Sequence, residues 1–301
     1  MRMRQRFGFN FFDIFVVTFC VGFALICFYP MWYVFIVSLM PYEDYLDTKI
    51  FLLPPLNPSF TYYLAILTSK LFRASILVSF LKTFLGAVGS LILTSMMAYG
   101  VSKRHIKGAR AINFLVVFTM FFSGGLIPTF FLYRDLHMLK TFWVMVIPQI
   151  LDIGNFIIMR NYFAYSVPPE LEDAATVDGA NDFIMYFKIV IPISMPMLAA
   201  MFLFSAVSHW NDYYSYLMFV DNIKYQPFVW VLRRMLVSHG FAQSLNQDVS
   251  ARFLQEQAAG YLPALSLRMT TIICAMLPIM LVYPFLQKHF AKGILIGAVK
   301  G

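Results

Sequence analysis

The chain has 301 residues, of which 60% are hydrophobic and 13% are charged, and its formal net charge is +8. A domain surrounded by water could not bury this much apolar surface in one core, so the composition excludes a soluble globular protein and indicates a bilayer. The Lys and Arg residues lie mostly where apolar runs end, as membrane-flanking cations do. This placement argues against nucleic-acid binding.

Apolar stretches long enough to cross a bilayer recur along the chain, since a helix needs roughly 20 apolar residues to span about 30 Å of hydrocarbon. We predict a single all-α, polytopic membrane domain over residues 1–301 with six transmembrane helices. The predicted spans are about 14–40, 74–102, 111–133, 142–163, 189–212 and 269–287. The fourth span contains Asp152 and Arg160, and the uncharged part of the fifth ends at Ser208.

Basic residues near the helix ends predict the orientation, because Lys and Arg are retained in the cytoplasm more readily than they are translocated. Such residues precede the first span, crowd the link between the second and third, and follow the last. They are Arg2, Arg4, Arg6, Lys103, Arg104, Lys107, Arg110, Lys288, Lys292 and Lys300. We therefore predict that both termini are cytoplasmic.

A long extracytoplasmic loop is then expected at about residues 220–268. Part of it is predicted to be helical from the spacing of Trp230, Leu232, Met235 and Leu236. Two roles are open for this loop: it caps the mouth of a solute pathway, or it packs on the surface without touching a ligand.

The most polar cytoplasmic interruption is the loop of residues 166–192, between the fourth and fifth spans. Ser166 can act near an N-cap, Pro168 and Pro169 suit a first helical turn, and Gly179 can take the left-handed conformation that ends a helix. Asn181 can cap a second, amphipathic segment. The apolar residues of that segment are Phe183, Ile184, Phe187 and Ile191. The sequence predicts a short exposed helix, a turn and a second helix.

Within this loop, Asp173-Ala174-Ala175 is followed after three residues by Gly179, and after nine more by Ile189-Val190-Ile191-Pro192. This spacing resembles the EAA loop of ABC importer permeases, although a merely solvated amphipathic link is the alternative. The resemblance implies a type I ABC importer permease fold whose coupling helix, Asp173 to Val177, seats in a groove of an ATPase subunit. Asp173 stands where the family usually has Glu. The implied ATPase-coupling residues are Glu170, Glu172, Asp173, Ala174, Ala175, Val177, Asp178, Gly179 and Pro192.

Two further stretches, residues 209–214 and 283–293, resemble the second permease of carbohydrate importers, the type of the maltose system's smaller permease subunit. The run 225–236 is similar to permeases of complex-oligosaccharide and uronate-type importers. The resemblance implies a bacterial inner-membrane location, a second homologous permease, two ATP-binding-cassette ATPase subunits, an extracytoplasmic solute-binding protein and a carbohydrate substrate. The sequence contains no GxxxxGK[ST] phosphate cradle, so ATP and Mg are expected on the partner ATPase and no cofactor or metal on this chain.

Polar residues in the fourth span are candidates for the solute pathway, because a lipid-facing charge costs about 2.5 to 3.5 kcal/mol on insertion scales. Gln149, Asp152 and Asn155 recur every three residues, which predicts one helical face. Their side chains could bind sugar hydroxyls or bond neighbouring helices to each other.

A second group of candidates lies at the end of the fifth span. Trp210, Asn211 and Asp212 combine an aromatic ring, an amide and a carboxylate, which suits a sugar, although Trp210 is equally an interfacial anchor. Lys82 is expected to pair or to snorkel rather than to move a proton.

Two other functions are alternatives to an importer. An ion-coupled secondary transporter needs titratable groups at mid-membrane and no cytoplasmic partner, and only Asp152 supports it. A membrane-embedded enzyme needs convergent catalytic groups, whereas the histidines are scattered. They are His105, His137, His209, His239 and His289.

Overall fold

The computed structural model describes residues 11–41, 44, 53–103, 106–237 and 264–298. The helices of this part of the chain are, in order, α1 Phe11–Leu39, α2 Thr61–Thr68, α3 Lys70–Ser102, α4 Ala109–Phe121, α5 Leu126–Asp135, α6 Ile153–Tyr165, α7 Pro169–Val177, α8 Asp182–Met185, α9 Ile191–Ile193, α10 Met195–Asn211, α11 Tyr214–Phe219, α12 Phe228–Val237 and α13 Ala264–Ala298. Short 3-10 turns occupy Phe142–Met145, Ile147–Gln149 and Ile223–Tyr225, and a π-helix occupies Tyr186–Val190. The described residues include no strand, so the all-α prediction is confirmed for them.

Several of these helices can cross a membrane. Four are long and apolar enough to do so: Phe11–Leu39, Lys70–Ser102, Phe142–Tyr165 and Leu265–Val282. Two bent pairs qualify if each pair is one span: Ala109–Phe121 with Leu126–Asp135, bent by 120°, and Asp182–Ile193 with Met195–Asn211, bent by 84°. The described residues therefore provide four spans, or up to six.

The third predicted span, residues 111–133, is not one continuous helix. Helix α4 ends at Phe121, and the chain turns at Gly124 and Gly125 before α5 begins. Gly125 has a φ of +81°, in the left-handed region that favours glycine. Hydropathy does not register such a break. The predicted span at residues 111–133 therefore corresponds to two helices, which make one span only if the bent pair is counted together.

The fourth predicted span, residues 142–163, also differs from the prediction. Its first part forms 3-10 turns, and α6 begins only at Ile153. Asp152 is the N-cap, because its Oδ1 accepts a hydrogen bond of 2.7 Å from the backbone N–H of Asn155. Gln149 thus precedes the helix, so Gln149, Asp152 and Asn155 do not share the one helical face that their spacing predicted.

The fifth predicted span changes direction near its start. The segment from Asp182 to Ile193 meets α10 at Ser194, where the N–H donates to the carbonyls of Val190 and Ile191 at 3.0 and 3.1 Å. The straight part of this span is α10, which begins at Met195 rather than at Ile189.

Helix α3 is the longest element of the region that carries the candidate site. Its 33 residues extend about 50 Å, more than the roughly 30 Å thickness of hydrocarbon. It packs against α6 and α10 through small buried residues such as Gly86, Ser90 and Ala98, which let membrane helices approach closely. The hydroxyls of Ser90 and Ser205 lie 3.2 Å apart across one of these contacts.

The described chain divides into two units. The first takes the residues up to Ser69 and those from Met235 to Ala275, and its polar contacts include the hydroxyls of Ser38 and Tyr63, 2.7 Å apart. The second takes Lys70–Arg234 and the residues from Met276 onward, and it contains every residue of the candidate site. Helix α12 confirms the predicted helix in the long loop, while residues 238–263 of that loop lie outside the described residues.

Candidate functional site

The loop of residues 166–192 forms the predicted helix, turn and helix. Helix α7 starts with Pro169 and ends in a Schellman motif, in which the N–H of Gly179 donates to Thr176 and that of Ala180 to Ala175, at 3.0 and 2.9 Å. Gly179 has a φ of +80°, as its predicted role requires. Asn181 is a true N-cap, since its Oδ1 accepts from the N–H of Ile184 at 2.9 Å.

The predicted capping role of Ser166 is wrong. Its N–H donates to the carbonyl of Tyr162 at 2.8 Å, so Ser166 closes α6. The N-cap position of α7 is Pro168, whose extended backbone directs the chain into the new helix without any side-chain hydrogen bond. Pro168 enforces the boundary because it disfavours helical backbone at Val167 before it.

The predicted coupling residues occupy two different faces of α7. Ala175 is buried in the core of the second unit, and Glu172 is half-buried. The others in the helix and turn are exposed: Glu170, Asp173, Ala174, Val177, Asp178 and Gly179. Pro192, in α9, is exposed as well. A partner that approaches this loop from outside the chain therefore meets the acidic residues and Val177, which is 87% exposed, rather than Ala175.

The second half of the loop presents apolar side chains outward. Phe183 and Phe187 are exposed, whereas Met185, Tyr186 and Val190 are buried in the core. The predicted apolar face of this segment is thus its outer face. Like Val177, this face leaves apolar side chains exposed in a polar loop, which is typical of a site for another protein.

Side-chain contacts hold the inner side of the loop against α3. Glu172 forms an ion pair with Lys103, the residue after the end of α3, and the Lys103 ammonium lies 4.4 Å from the centroid of the Tyr99 ring. The hydroxyls of Ser95 and Tyr186 are 2.6 Å apart, and the rings of Tyr99 and Tyr186 are 5.1 Å apart. No local pattern predicts these contacts, since Lys103 and Glu172 are 69 positions apart.

The environment of Lys103 combines burial with negative charge. Burial lowers the pKa of its ammonium below the usual value, while the carboxylate of Asp182 acts in the opposite direction. The Lys103 side chain is 10% exposed and that of Glu172 is 24% exposed. The ion pair is therefore better shielded from solvent than a surface pair, and salt screens it less.

A second polar cluster lies in the same unit and is centred on Asp212. Lys82, which is fully buried, donates to the backbone carbonyl of Asp212 and has its ammonium 3.4 Å from the carboxylate. Gln149 donates from Nε2 to Asp212 at 2.9 Å and to the Ser215 hydroxyl at 3.0 Å. The N–H of Ser215 donates to the other Asp212 oxygen at 3.1 Å. Of the two roles expected for Lys82, pairing and snorkelling, the structure shows pairing.

The remaining pathway candidates are dispersed. Asn155 donates to the Ser205 hydroxyl at 3.0 Å and so bonds α6 to α10. Trp210 is buried, and Asn211 is exposed at the end of α10. Asp152 is occupied as the N-cap of α6. Among the six candidates, Gln149 and Asp212 share a hydrogen bond between side chains, and the Asp152 carboxylate accepts from the backbone N–H of Asn155.

His209, for which no site role is predicted from sequence, belongs to this region. It is buried, and its ring lies against Gly86, where a Cβ would come within 2.6 Å of Nε2. The absence of a side chain at Gly86 is what allows the imidazole to fit between α3 and α10. A glycine that faces a histidine 123 positions away has no signature in one sequence.

Comparison with protein families matches residues 91–296 to the binding-protein-dependent transport system inner membrane component. The chain belongs to this family. The permease is accordingly a membrane transport component and not an enzyme. Neither the family nor the geometry gives support to an ion-coupled transporter.

Individual relatives cover nearly the whole permease. It is 38% identical over 291 residues to the polygalacturonan/rhamnogalacturonan transport system permease protein YtcP of Bacillus subtilis (strain 168), covering 96% of this chain and 98% of that one. It is 34% identical to the protein LplC of the same organism, over 96% and 95% of the two chains. A solved bacterial ABC transporter involved in the import of the acidic polysaccharide alginate matches with a TM-score of 0.82 and 32% identity, over 93% and 96% of the chains. This match confirms the type I ABC permease fold.

Proposed function

We propose that the permease is one of the two membrane subunits of an ABC importer that carries a carbohydrate, of the oligosaccharide or polysaccharide type, into a bacterial cytoplasm. The observation that carries this proposal is the full-length similarity to YtcP, a polygalacturonan/rhamnogalacturonan permease. The similarity to the alginate importer supports the same class of substrate. Both named groups of substrates are rich in uronic acids, so the substrate class that we favour is an acidic oligosaccharide.

The exposed surface of the loop 166–192 is the proposed docking site for an ATPase subunit. Val177 and Phe183 expose apolar side chains there, and Glu170 and Asp173 lie in the first turns of α7, where negative charge is stabilised by the helix dipole. Leaving these apolar side chains in water is costly, so we expect them to bind in a groove of another protein. The complete importer would contain a second permease, two ATPase subunits and an extracytoplasmic solute-binding protein.

The proposed orientation places this loop and both termini in the cytoplasm of a cell bounded by the bacterial inner membrane. Support comes from Lys103 and Lys107 in the link between α3 and α4, and from Arg110 in the first turn of α4. The ion pair between Lys103 and Glu172 brings that link to the same end of α3 as α7. A basic link and the ATPase-docking loop thus share one side.

The polar cluster around Asp212 separates the candidate pathway residues into those with a structural role and one that can contact the sugar. Gln149 and Asp212 are hydrogen-bonded to each other, and Asp212 is paired with Lys82. We therefore assign Gln149 and Asp212 a structural role beside the pathway rather than contact with the sugar. Asn211, exposed beside them, is the candidate that remains available to a sugar hydroxyl. Trp210 is proposed as a packing residue because it is buried.

The test is a paired co-purification and uptake experiment. The tagged permease is extracted mildly from a membrane that also contains its operon partners, and uptake of labelled oligogalacturonate is measured in the same cells. Val177→Glu should remove the ATPase from the purified complex and abolish uptake, because it places a carboxylate in the docking surface. Leu56→Glu, at a residue that is 98% exposed outside this loop, is the matched control. Retention of the ATPase by Val177→Glu would contradict the docking proposal, and uptake without any ATPase would contradict the importer.

A further inference from the structure

The loop 166–192 connects α6 to α10 along the chain, yet its best-defined side-chain contacts go to a third helix. Glu172, in the first half of the loop, is paired with Lys103 at the end of α3. Tyr186, in the second half, is hydrogen-bonded to Ser95 within α3. Both arms of the loop are therefore held at the same end of α3, where the Lys103 ammonium and the Tyr186 ring each lie against the Tyr99 ring.

The helical path between the loop and the spans on either side of it is interrupted at both ends. Between α6 and α7 the chain leaves helical conformation at Val167 and Pro168. Between the π-helix and α10 the path bends by 84° near Ser194. A displacement of α7 that travelled along the chain would first have to deform these two joints.

Helix α3 offers an uninterrupted alternative. It runs from Lys70 to Ser102 as one α-helix, and its sequence contains no proline. Lys82 precedes Lys103 by 21 positions, which corresponds to about 30 Å along the axis. The end of α3 that holds the loop and the part that holds Asp212 thus belong to a single stiff element.

We propose that α3 receives the motion of the coupling loop, through the Glu172–Lys103 ion pair and the Tyr186–Ser95 hydrogen bond, and carries it to the Lys82–Asp212–Gln149 cluster. This inference rests on the proposed function, since it needs an ATPase that moves the loop. Lys103 and Tyr186 act as positioning residues: they touch no substrate and no nucleotide. Glu172 faces inward and is assigned to this role rather than to ATPase contact.

The loop connects α6 to α10, and both of these helices pack on α3. They would therefore move together with α3. Their contacts include the Ser90–Ser205 pair and the bond from the Thr94 hydroxyl to the carbonyl of Ile150, at 3.2 Å each. A shift of α3 would therefore reach the residues before α6 and the end of α10 together. These are the two places from which Gln149 and Asp212 meet.

The experiment uses the complete importer reconstituted in proteoliposomes, with the permease pair, the ATPases and the binding protein. The measured quantity is the amount of oligogalacturonate taken up per ATP hydrolysed. Lys103→Glu and Glu172→Lys are made singly and together, so that the double variant restores the ion pair with reversed polarity. Each single variant should lower uptake per ATP by about tenfold while the ATPase still co-purifies, and the double variant should recover most of that loss.

Two further variants separate positioning from folding. Tyr186→Phe removes only the hydroxyl that reaches Ser95 and should lower uptake per ATP without lowering the melting temperature by more than a few degrees. Lys103→Arg keeps the charge and should couple nearly as well as wild type. Asp135→Lys breaks the exposed Arg134–Asp135 pair, which lies outside the loop, and serves as the control with unchanged coupling.

Specific results would overturn the inference. A double reversal that is no better than the worse single variant would show that the pair does not couple the two elements. Loss of the ATPase from the Glu172→Lys complex would show that Glu172 contacts the ATPase directly. Normal uptake per ATP in both Lys103→Glu and Tyr186→Phe would exclude α3 as the receiver. If wild-type permease neither holds an ATPase nor supports uptake, the proposed function itself fails, which is a different outcome from any of these.

Discussion

Removal of one partner of the Lys82–Asp212 pair should destabilise the permease strongly. The Lys82 side chain is fully buried, and that of Asp212 is 13% exposed. Breaking a buried pair by truncating one side typically costs about 3–5 kcal/mol, because the remaining charge is left without compensation. We expect Asp212→Leu to lie at the upper end, since it leaves the Lys82 ammonium with one backbone carbonyl.

Lys82→Met should lie at the lower end of this range. The Asp212 carboxylate would still accept hydrogen bonds from Gln149 and from the N–H of Ser215, at 2.9 and 3.1 Å. The double variant Lys82→Met with Asp212→Asn removes both charges. The amide oxygen of the new side chain can still accept from the N–H of Ser215, and its NH2 group can donate to Oε1 of Gln149 once the Gln149 amide is reversed. The double variant should therefore be more stable than Lys82→Met alone.

The assay is the melting temperature of the purified permease complex in detergent. At about 2–4 °C per kcal/mol, the single variants should melt roughly 6–20 °C below wild type. Lys224→Met removes an exposed lysine and should leave the melting temperature unchanged. A Lys82→Met protein that melts with wild type, or a double variant that is the least stable of the series, would refute this electrostatic reasoning.

Three further predictions concern single positions. Gly86→Ala should lower stability by about 1–3 kcal/mol in the same melting assay, because its Cβ would overlap the His209 ring, and His209→Ala should relieve the loss; an unchanged melting temperature would contradict the contact. Asn181→Ala should cost about 1 kcal/mol of local helix stability, seen as faster amide hydrogen exchange over residues 182–185, and unchanged exchange would argue against the cap. Gly179→Ala should strain a residue with φ +80° by about 1 kcal/mol and increase proteolysis of the loop 166–192, whereas equal protease resistance would count against the Schellman turn.

Local signals in the sequence predicted the helix, turn and helix of the loop 166–192 well. Gly179 and Asn181 form their hydrogen bonds with residues close to them in the chain. The turn and the second cap could therefore be predicted from residue type alone. Ser166 was misassigned because a serine at a helix boundary can follow one helix as readily as it precedes the next. The two prolines after it decide the boundary.

Hydropathy predicted where apolar helices lie but not where they break. Gly124 and Gly125 interrupt one apolar run, and Asp152 begins a helix inside another. An average over some 20 residues is insensitive to such single positions. The spacing of Gln149 and Asn155 therefore predicts a helical face, although only Asn155 lies in the helix.

Contacts between distant residues could not be predicted at all. Lys82 and Asp212 are 130 positions apart, and Lys103 and Glu172 are 69 apart. The sequence shows that a buried lysine needs a partner, but the partner is selected by the packing of α3 against α10. The inward orientation of Glu172 likewise depends on where α7 lies on α3.

The π-helix at Tyr186–Val190 has a consequence for how related chains are aligned. A π turn bonds each residue to the fifth rather than the fourth before it, so it holds one more residue than the α turn that would fill the same length. A relative that lacks one residue here could continue as an ordinary α-helix and still deliver its bend and its fifth span in the same places. In an alignment of relatives, a one-residue gap within 186–190 would therefore mark a change from π-helix to α-helix. The residues before the gap and those after it should then be aligned independently.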